Sequence, residues 1–314
     1  MKQKTVGGCP KPLWIVATVL AASVGVTACG GGGGGGMPML PMGVVPTPTP
    51  APAPSPAPAP APAENRDAVP GSEPLPLLSA PQAGSTAAEG NDSEGIYGSL
   101  LNFGFVGADG TVAAKLVVGT LWGSIKVTGR DWSFNPDTQY YYMNVSPVTG
   151  SGTFVPKKTM SGTYAYGSRA PSDFGPLGYA AENALAVSQG SVVGKWANTD
   201  TSFGISITIE VDENGVFTGK TVGAQIGVCG ISGTITQAQP GTAKNMYGFA
   251  LNAVNAATEA KDACKLNGLP YKGPAAIGLV PAGNFDSNGY FRNIMFLVRT
   301  SDGSTLTAGL RKQP

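Results

Sequence analysis

The chain of 314 residues carries four cysteines and no histidine. Without imidazole, Ser-His-Asp and Cys-His nucleophile systems, the common zinc sites and most proton transfer near neutral pH are ruled out. No Ser-x-x-Lys stands in a workable setting, no G-x-S-x-G elbow occurs, and no Gly-rich loop leads from a strand into a helix. Two carboxylates that meet only in three dimensions remain open as an acid/base pair. Most acidic residues of the exported part, however, fall in turns or in linker. The composition therefore predicts a protein that is not an enzyme and needs neither cofactor nor metal. What is left is the chemistry of thiols and of aromatic rings.

Cys29 has the most specific surroundings of the four thiols. Lys2, Lys4 and Lys11 precede an apolar run from Leu13 to Ala22, too short to span a bilayer, and small residues lead up to the cysteine, so residues 1–28 read as a cleaved export signal. The ending Val26-Thr27-Ala28-Cys29 resembles the lipobox of bacterial lipoproteins. That resemblance implies a diacylglyceryl group on the Cys29 thiol, cleavage before Cys29 and acylation of the new amino terminus. The membrane lipid is then a partner through the anchor, and several acyl chains at about 0.8 kcal/mol per buried methylene make attachment stable. Gly30 follows the cysteine where Asp would mark inner-membrane retention, which implies the outer membrane. With Cys9 in the signal and Cys29 lipidated, Cys229 and Cys264 are the thiols left in an oxidising compartment, and they are expected to pair.

Residues 29–94 are expected to be a disordered linker. Residues 30–36 are all Gly, and from Pro46 to Pro62 every even position is Pro. The first behaves as random coil and the second as a polyproline rod rising about 3.1 Å per residue, which lifts whatever follows off the membrane. Residues 64–94 are polar, small and Pro-containing, with too little apolar surface to offset ordering entropy. Met37, Met39 and Met42 are either soft-metal ligands or methionines tolerated in unstructured chain, and no His or Cys stands beside them.

Folded structure is expected in two β-rich units, residues 95–187 and 188–314. Phe203, Ile205, Ile207, Ile209 and Val211 alternate with small or polar residues, the period-two signature of a strand with one buried face. The run enters Asp212-Glu213-Asn214-Gly215, where the Asn-Gly pair is expected to supply positive φ angles for a hairpin turn. Asp109-Gly110, Asp286-Ser287-Asn288-Gly289 and Asp302-Gly303 punctuate other β-rich runs in the same way. Calcium ligation by such clusters would need a longer ligand series ending in Glu, so they read as turns. From residue 192 onward the pattern predicts eight strands, 192–196, 203–211, 215–221, 229–236, 246–254, 272–280, 289–299 and 304–311. The fold class is all-β, an antiparallel meander whose C-terminal unit closes into an up-and-down barrel. Strand 289–299 is apolar on both faces, so its outside is expected to pack on the upstream unit. There, strands are expected at 97–106, 111–118, 121–128, 140–145, 152–157 and 161–166, with a short helical crossover over 179–187. Gly152-Thr153-Phe154 and Met160 to Tyr164 echo Gly215-Val216-Phe217 and Ile231 to Ile235, which raises an internal duplication.

The function left by these exclusions is binding. Lys plus Arg exceed Asp plus Glu by one over the whole chain, and nothing resembles the basic stripe that a phosphate backbone requires, so nucleic acid is not expected as a partner. Tyr140, Tyr141 and Tyr142, with Trp122 and Trp132 nearby in sequence, are the candidate recognition residues for a protein or a cell-envelope polymer; consecutive aromatics in a strand must occupy both faces. Gly194-Lys195-Trp196 resembles the G-x-W that opens lipocalin and avidin-like barrels, which implies the alternative of a calycin-like carrier with a small apolar ligand inside. Trp196 itself reads as a core residue at a barrel end. A lipobox cysteine, poly-Gly, a long tether and two β-rich units resemble the neisserial surface lipoproteins that bind transferrin or complement factor H. The two expectations diverge on one point, whether the barrel interior is hollow or filled.

Overall fold

The computed structural model describes residues 69–99, 102–198, 205–266, 268–283 and 288–314. Cys29, the glycine run, the three linker methionines and the proline rod lie outside these residues, as do Phe203, Asp286 and Ser287.

The N-terminal unit comprises β1 (Gly95–Gly98), β2 (Phe103–Val106), β3 (Thr111–Lys115), β4 (Thr120–Thr128), β5 (Asp131–Phe134), β6 (Gln139–Tyr141), β7 (Val145–Val155), β8 (Thr159–Tyr166) and β9 (Ser172–Tyr179). Every pairing is antiparallel. β1 bonds to both β2 and β9, and the ring closes through β3–β4 and β7–β8. The place between β4 and β7 is shared by β5 and β6 end to end, so the unit is itself an eight-position barrel. Asn135-Pro136-Asp137 makes that break, because Pro136 has no N–H to give the ladder. The sequence pattern predicts neither β5 nor β9. β9 was hidden by Pro176, which sits beside a register shift opposite Met160 and Gly162. The single strand expected at 97–106 is a hairpin of β1 and β2, and the helix expected over 179–187 is only a 3-10 turn at Ala181–Ala184.

The C-terminal unit is the closed barrel β10 (Gly194–Ala197), β11 (Ile205–Val211), β12 (Val216–Gly223), β13 (Cys229–Gln237), β14 (Tyr247–Asn255), β15 (Tyr271–Pro281), β16 (Tyr290–Arg299) and β17 (Thr305–Lys312), in sequence order. These are the eight predicted strands, with ends shifted by one or two residues. In the first turn Gly215 alone takes a positive φ, 78°; Asn214 does not, and the Asp212 carboxylate instead accepts from the Asn214 and Val216 amides at 2.9 and 2.8 Å. The echoing motifs fall on the sixth and seventh strand positions of one barrel and on the third and fourth of the other, so they give no support to duplication.

The two barrels stand side by side. Ile96, Phe105, Ala113, Trp122 and Tyr141 from the first meet Met246, Ala276 and Leu297 from the second in one buried cluster, with Met295 against it. The outside of β16 is thus covered by the upstream unit, as its two apolar faces require.

Residues 69–94, expected as linker, are part of this folded body. Glu73 bridges to Tyr290 through backbone bonds of 2.8 Å in both directions, and its carboxylate accepts from Arg292 Nε and Nη2 at 2.5 and 2.9 Å. Ser85 caps the short helix α1 (Thr86–Glu89), and Asn245 N donates to Thr86 Oγ1 at 3.0 Å. Glu94, 1 % exposed, accepts from Lys244 Nζ at 2.8 Å and from Gln239 Nε2 at 2.7 Å. The segment has little apolar surface, and charge-assisted bonds hold it instead, to the second barrel through Arg292 and Lys244 and to the first through Lys157 Nζ, which donates to Ala87 O at 2.8 Å.

Strap 69–94 and connection 180–193 both run along one end of the barrel pair, where the β2–β3 and β13–β14 turns also lie. At the opposite end the turn at Gly303 lies against Tyr141. In the connection, the Glu182 carboxyl accepts from Leu279 N at 3.3 Å, and burial raises its pKa above the ordinary carboxylate value. A raised folded-state pKa adds stability below the unfolded value and loses it as pH climbs through the folded one. Glu182→Gln is therefore expected to stabilise the protein at neutral pH and to flatten the decline in stability above pH 5, read from denaturant midpoints across pH.

Candidate functional site

The five candidate aromatics do not form one exposed patch. Tyr140 and Tyr141 alternate across the wall of the N-terminal barrel, as period two demands. Trp132 and Tyr140 point inward and are each 2 % exposed; Trp132 Nε1 donates to Ser161 O at 3.2 Å, and Tyr140 Oη donates to Val118 O. Trp122 and Tyr141 point outward but into the second barrel. Between them lies Arg299 of β16, its Cζ 5.3 Å from the Trp122 ring and 4.9 Å from the Tyr141 ring, with Nη1 donating to Tyr141 Oη at 2.6 Å. A Cβ on Gly303, whose φ is 90°, would stand 2.6 Å from the Tyr141 ring, so this turn needs glycine for the close approach. These two aromatics clasp the barrels together and are not free to meet a partner.

Tyr142 alone of the five remains partly accessible, and it belongs to a larger group. Inside the N-terminal barrel an aromatic series runs from Trp132 through Phe134 and Phe174 to Tyr164, with centroid separations of 4.9, 5.8 and 6.3 Å. Tyr164 lies 6.1 Å from both Tyr140 and Tyr166, and Tyr140 and Tyr166 are 4.2 Å apart. Phe134, Tyr142, Tyr164 and Tyr166 are only partly covered by this core. Arg169 lies over the Tyr166 ring at 5.4 Å. Burial raises the phenol pKa of Tyr140, with Tyr164, Tyr166 and Tyr142 adding to it; burial and then Tyr166 raise that of Tyr164. Both phenols stay neutral at physiological pH, offering ring faces and hydroxyl donors and no negative charge.

These tyrosines line the end of the barrel away from the strap. Among the described residues, apolar side chains close three barrel ends: Ala87 and Ala184 at the strap end of the first barrel, Leu185, Val187, Val192 and the β10 residue Trp196 at that of the second, and Ile226 and Leu266 at its far end. Leu266 is brought there by the Cys229–Cys264 disulfide, which spans Cα atoms 4.9 Å apart and fastens the long β14–β15 connection to the start of β13. At the remaining end the turns carry Val117 and Met143 at 58 % and 71 % exposed, beside exposed Val118 and Val145. Residues 100 and 101, in the β1–β2 connection at this end, lie outside the described residues.

The C-terminal interior is filled. Phe217, Phe249 and Phe296 stack in series at 5.2 and 4.5 Å between Ile207, Ile209, Ile231, Ile235 and Ile294, all buried. Trp196 is wholly buried at the barrel end, its Nε1 donating to Val192 O at 2.7 Å. Two clefts lie outside the interiors. One of about 620 Å³ runs between the barrels past Phe105, Trp122, Met246, Asp137 and Arg299; one of about 520 Å³ lies beside Asp92, Asp109 and Phe154. Among the described residues no group of His, Cys, Asp and Glu is placed to hold a metal ion, and no helix is long and apolar enough to cross a membrane.

Sequence reasoning missed Tyr164, Tyr166, Arg169 and Met143. The signal was present as Tyr-x-Tyr at 140–142 and again at 164–166, two period-two pairs that place all four rings on inner faces. The chain matches no protein-family model, no curated protein and no solved structure.

Proposed function

We propose that this chain is an exported lipoprotein, anchored through Cys29 at the outer membrane, that displays a non-catalytic pair of β-barrels on a rod-like tether to bind a partner with its outer surface. The lipobox-type ending, the glycine run and the alternating prolines support the anchor and the tether. The observation that carries surface binding is the filled C-terminal interior: a barrel packed with Phe217, Phe249 and Phe296 has no room for a carried ligand, which removes support from the calycin-like alternative. A protein or a cell-envelope polymer remains as the partner.

Native mass spectrometry of the protein purified without denaturant tests surface binding against carriage. The expected spectrum is that of the lipidated chain with no small molecule inside. A stoichiometric small molecule that survives delipidation of the anchor and is lost only on unfolding would overturn the reading in favour of a carrier.

A further inference from the structure

We propose that Glu73 and Arg292 form a latch that lets residues 69–81 leave the body and join the tether while both barrels stay folded. The proposal goes beyond the display reading above and needs no lipid on Cys29. It starts from how unevenly the strap is fastened. Among the described residues, the hydrogen bonds that 69–81 makes outside itself all meet at Glu73: its N–H donates to Tyr290 O, its carbonyl accepts from Tyr290 N, and its carboxylate takes the Arg292 fork. Two further bonds, Ser72 N to Val69 O and Ala80 N to Leu77 O, are local turns. Pro70, Pro74, Pro76 and Pro81 have no N–H to add. Leu75, Leu77 and Leu78 are exposed, and no side chain of 69–81 belongs to the three apolar clusters, so release strips no core. Downstream the fastening changes character. Gln82 N donates to Ala184 O at 3.0 Å, Gln82 Oε1 accepts from Ala186 N at 2.8 Å, and Thr86, itself buried, accepts from Asn245 N at 3.0 Å. Release therefore stops at Gln82.

Solvent access decides which of the strap's two ion pairs opens. Glu94 and Lys244 are 1 % and 13 % exposed, so parting them strands a charge away from water. Glu73 and Arg292 are 31 % and 29 % exposed, and water replaces each partner as it leaves. Position gives the latch its use. The chain that leads back to Cys29 joins the body at Val69, so tension drawn through the tether meets Glu73 before any other fastening among the described residues. A single bridge opens by peeling one residue. Once open, 69–81 contribute up to about 45 Å of extended chain, at roughly 3.5 Å per residue. The displayed body thus gains reach under load without unfolding.

Hydrogen exchange resolved by residue, on the full mature chain in detergent micelles, tests the latch. The Glu73 and Tyr290 amides are expected to exchange faster than those of Gln82, Ala186 and Asn245, which hold the strap downstream. Glu73→Gln is expected to speed the first two about fivefold and leave the other three unchanged, because Gln keeps the shape and loses the charge-assisted fork. Raising the salt to about 0.5 M is expected to act likewise on the natural chain and little on the variant, since screening works on the pair. All five amides accelerating together in Glu73→Gln would overturn the proposal, by showing that the strap opens only with the body. Glu73 and Tyr290 amides indifferent to both the substitution and the salt would overturn it too. Fatty-acid labelling separates this proposal from the display reading: a Cys29 without label defeats display and leaves the exchange pattern standing.

Discussion

Replacing Lys244 with Met is expected to cost about 3 kcal/mol of stability, the magnitude seen when one partner of a buried ion pair is removed. Glu94 is 1 % exposed, and its carboxylate is shared among Lys244, Gln239 and the more distant Asn91 amide. Without the ammonium, two neutral donors are left to hold a full charge that water cannot reach. The loss arises from the stranded carboxylate, so Lys244→Met combined with Glu94→Gln is expected to recover most of it. Denaturant titration of both variants decides the matter. Equal losses in the single and double variants would show that packing at this junction, and not its charge, joins the strap to the second barrel. Because Glu94 immediately precedes β1 and Lys244 lies in the β13–β14 connection, the single variant is also expected to loosen the contact between barrels.

Reducing the disulfide is expected to cost roughly 3–4 kcal/mol, on the loop-entropy model for a bond that joins residues 35 apart. The native side of the balance is local. Cys264 N donates to Asn255 Oδ1 at 2.8 Å, Lys265 N to Ile226 O at 3.0 Å and Val228 N to Asp262 O at 2.8 Å, so the connection keeps bonds to the barrel end even when the thiols are free. The Cys229→Ser, Cys264→Ser double variant is thus expected to retain the fold at 25 °C, with hydrogen exchange accelerated over 256–266 and at Ile226. Unchanged exchange there, with an unchanged denaturant midpoint, would refute the assigned role of the bond in stoppering that end.

The C-terminal barrel was legible because turn residues separate its strands and β11 keeps strict alternation: Ile205, Ile207, Ile209 and Val211 are all buried, while Ser206 and Glu210 are exposed. β16 went further, since Ile294, Phe296 and Val298 face the interior and Leu297 the other barrel, so that its two apolar faces announced a partner unit before that unit was placed. In the N-terminal barrel the same rule is obscured. β5 has only four residues, β9 contains Pro176, and glycines occupy alternate positions of β7 that a reader of hydropathy skips.

Residue type alone could not sort the aromatics. Trp122 and Trp132 lie on neighbouring strands of one sheet, yet one serves the seam between barrels and the other the interior, and what separates them is Arg299, more than 160 residues further along the chain. The strap was misread for a related reason. Composition measures apolar area, whereas residues 69–94 are held by Glu73 on Arg292, Glu94 on Lys244 and Thr86 beneath Asn245, pairings whose partners lie far away in sequence.

The anchor is the claim on which display and tether both depend. Intact-mass spectrometry of the protein extracted from membranes addresses it directly, with peptide mapping of the mature amino terminus. The account predicts a chain that begins at Cys29, carries a diacylglyceryl group on the thiol and an acyl group on the amine, and loses both the modification and its membrane association in Cys29→Ala. A mature chain that begins elsewhere, or one that begins at Cys29 with a free thiol, would contradict it.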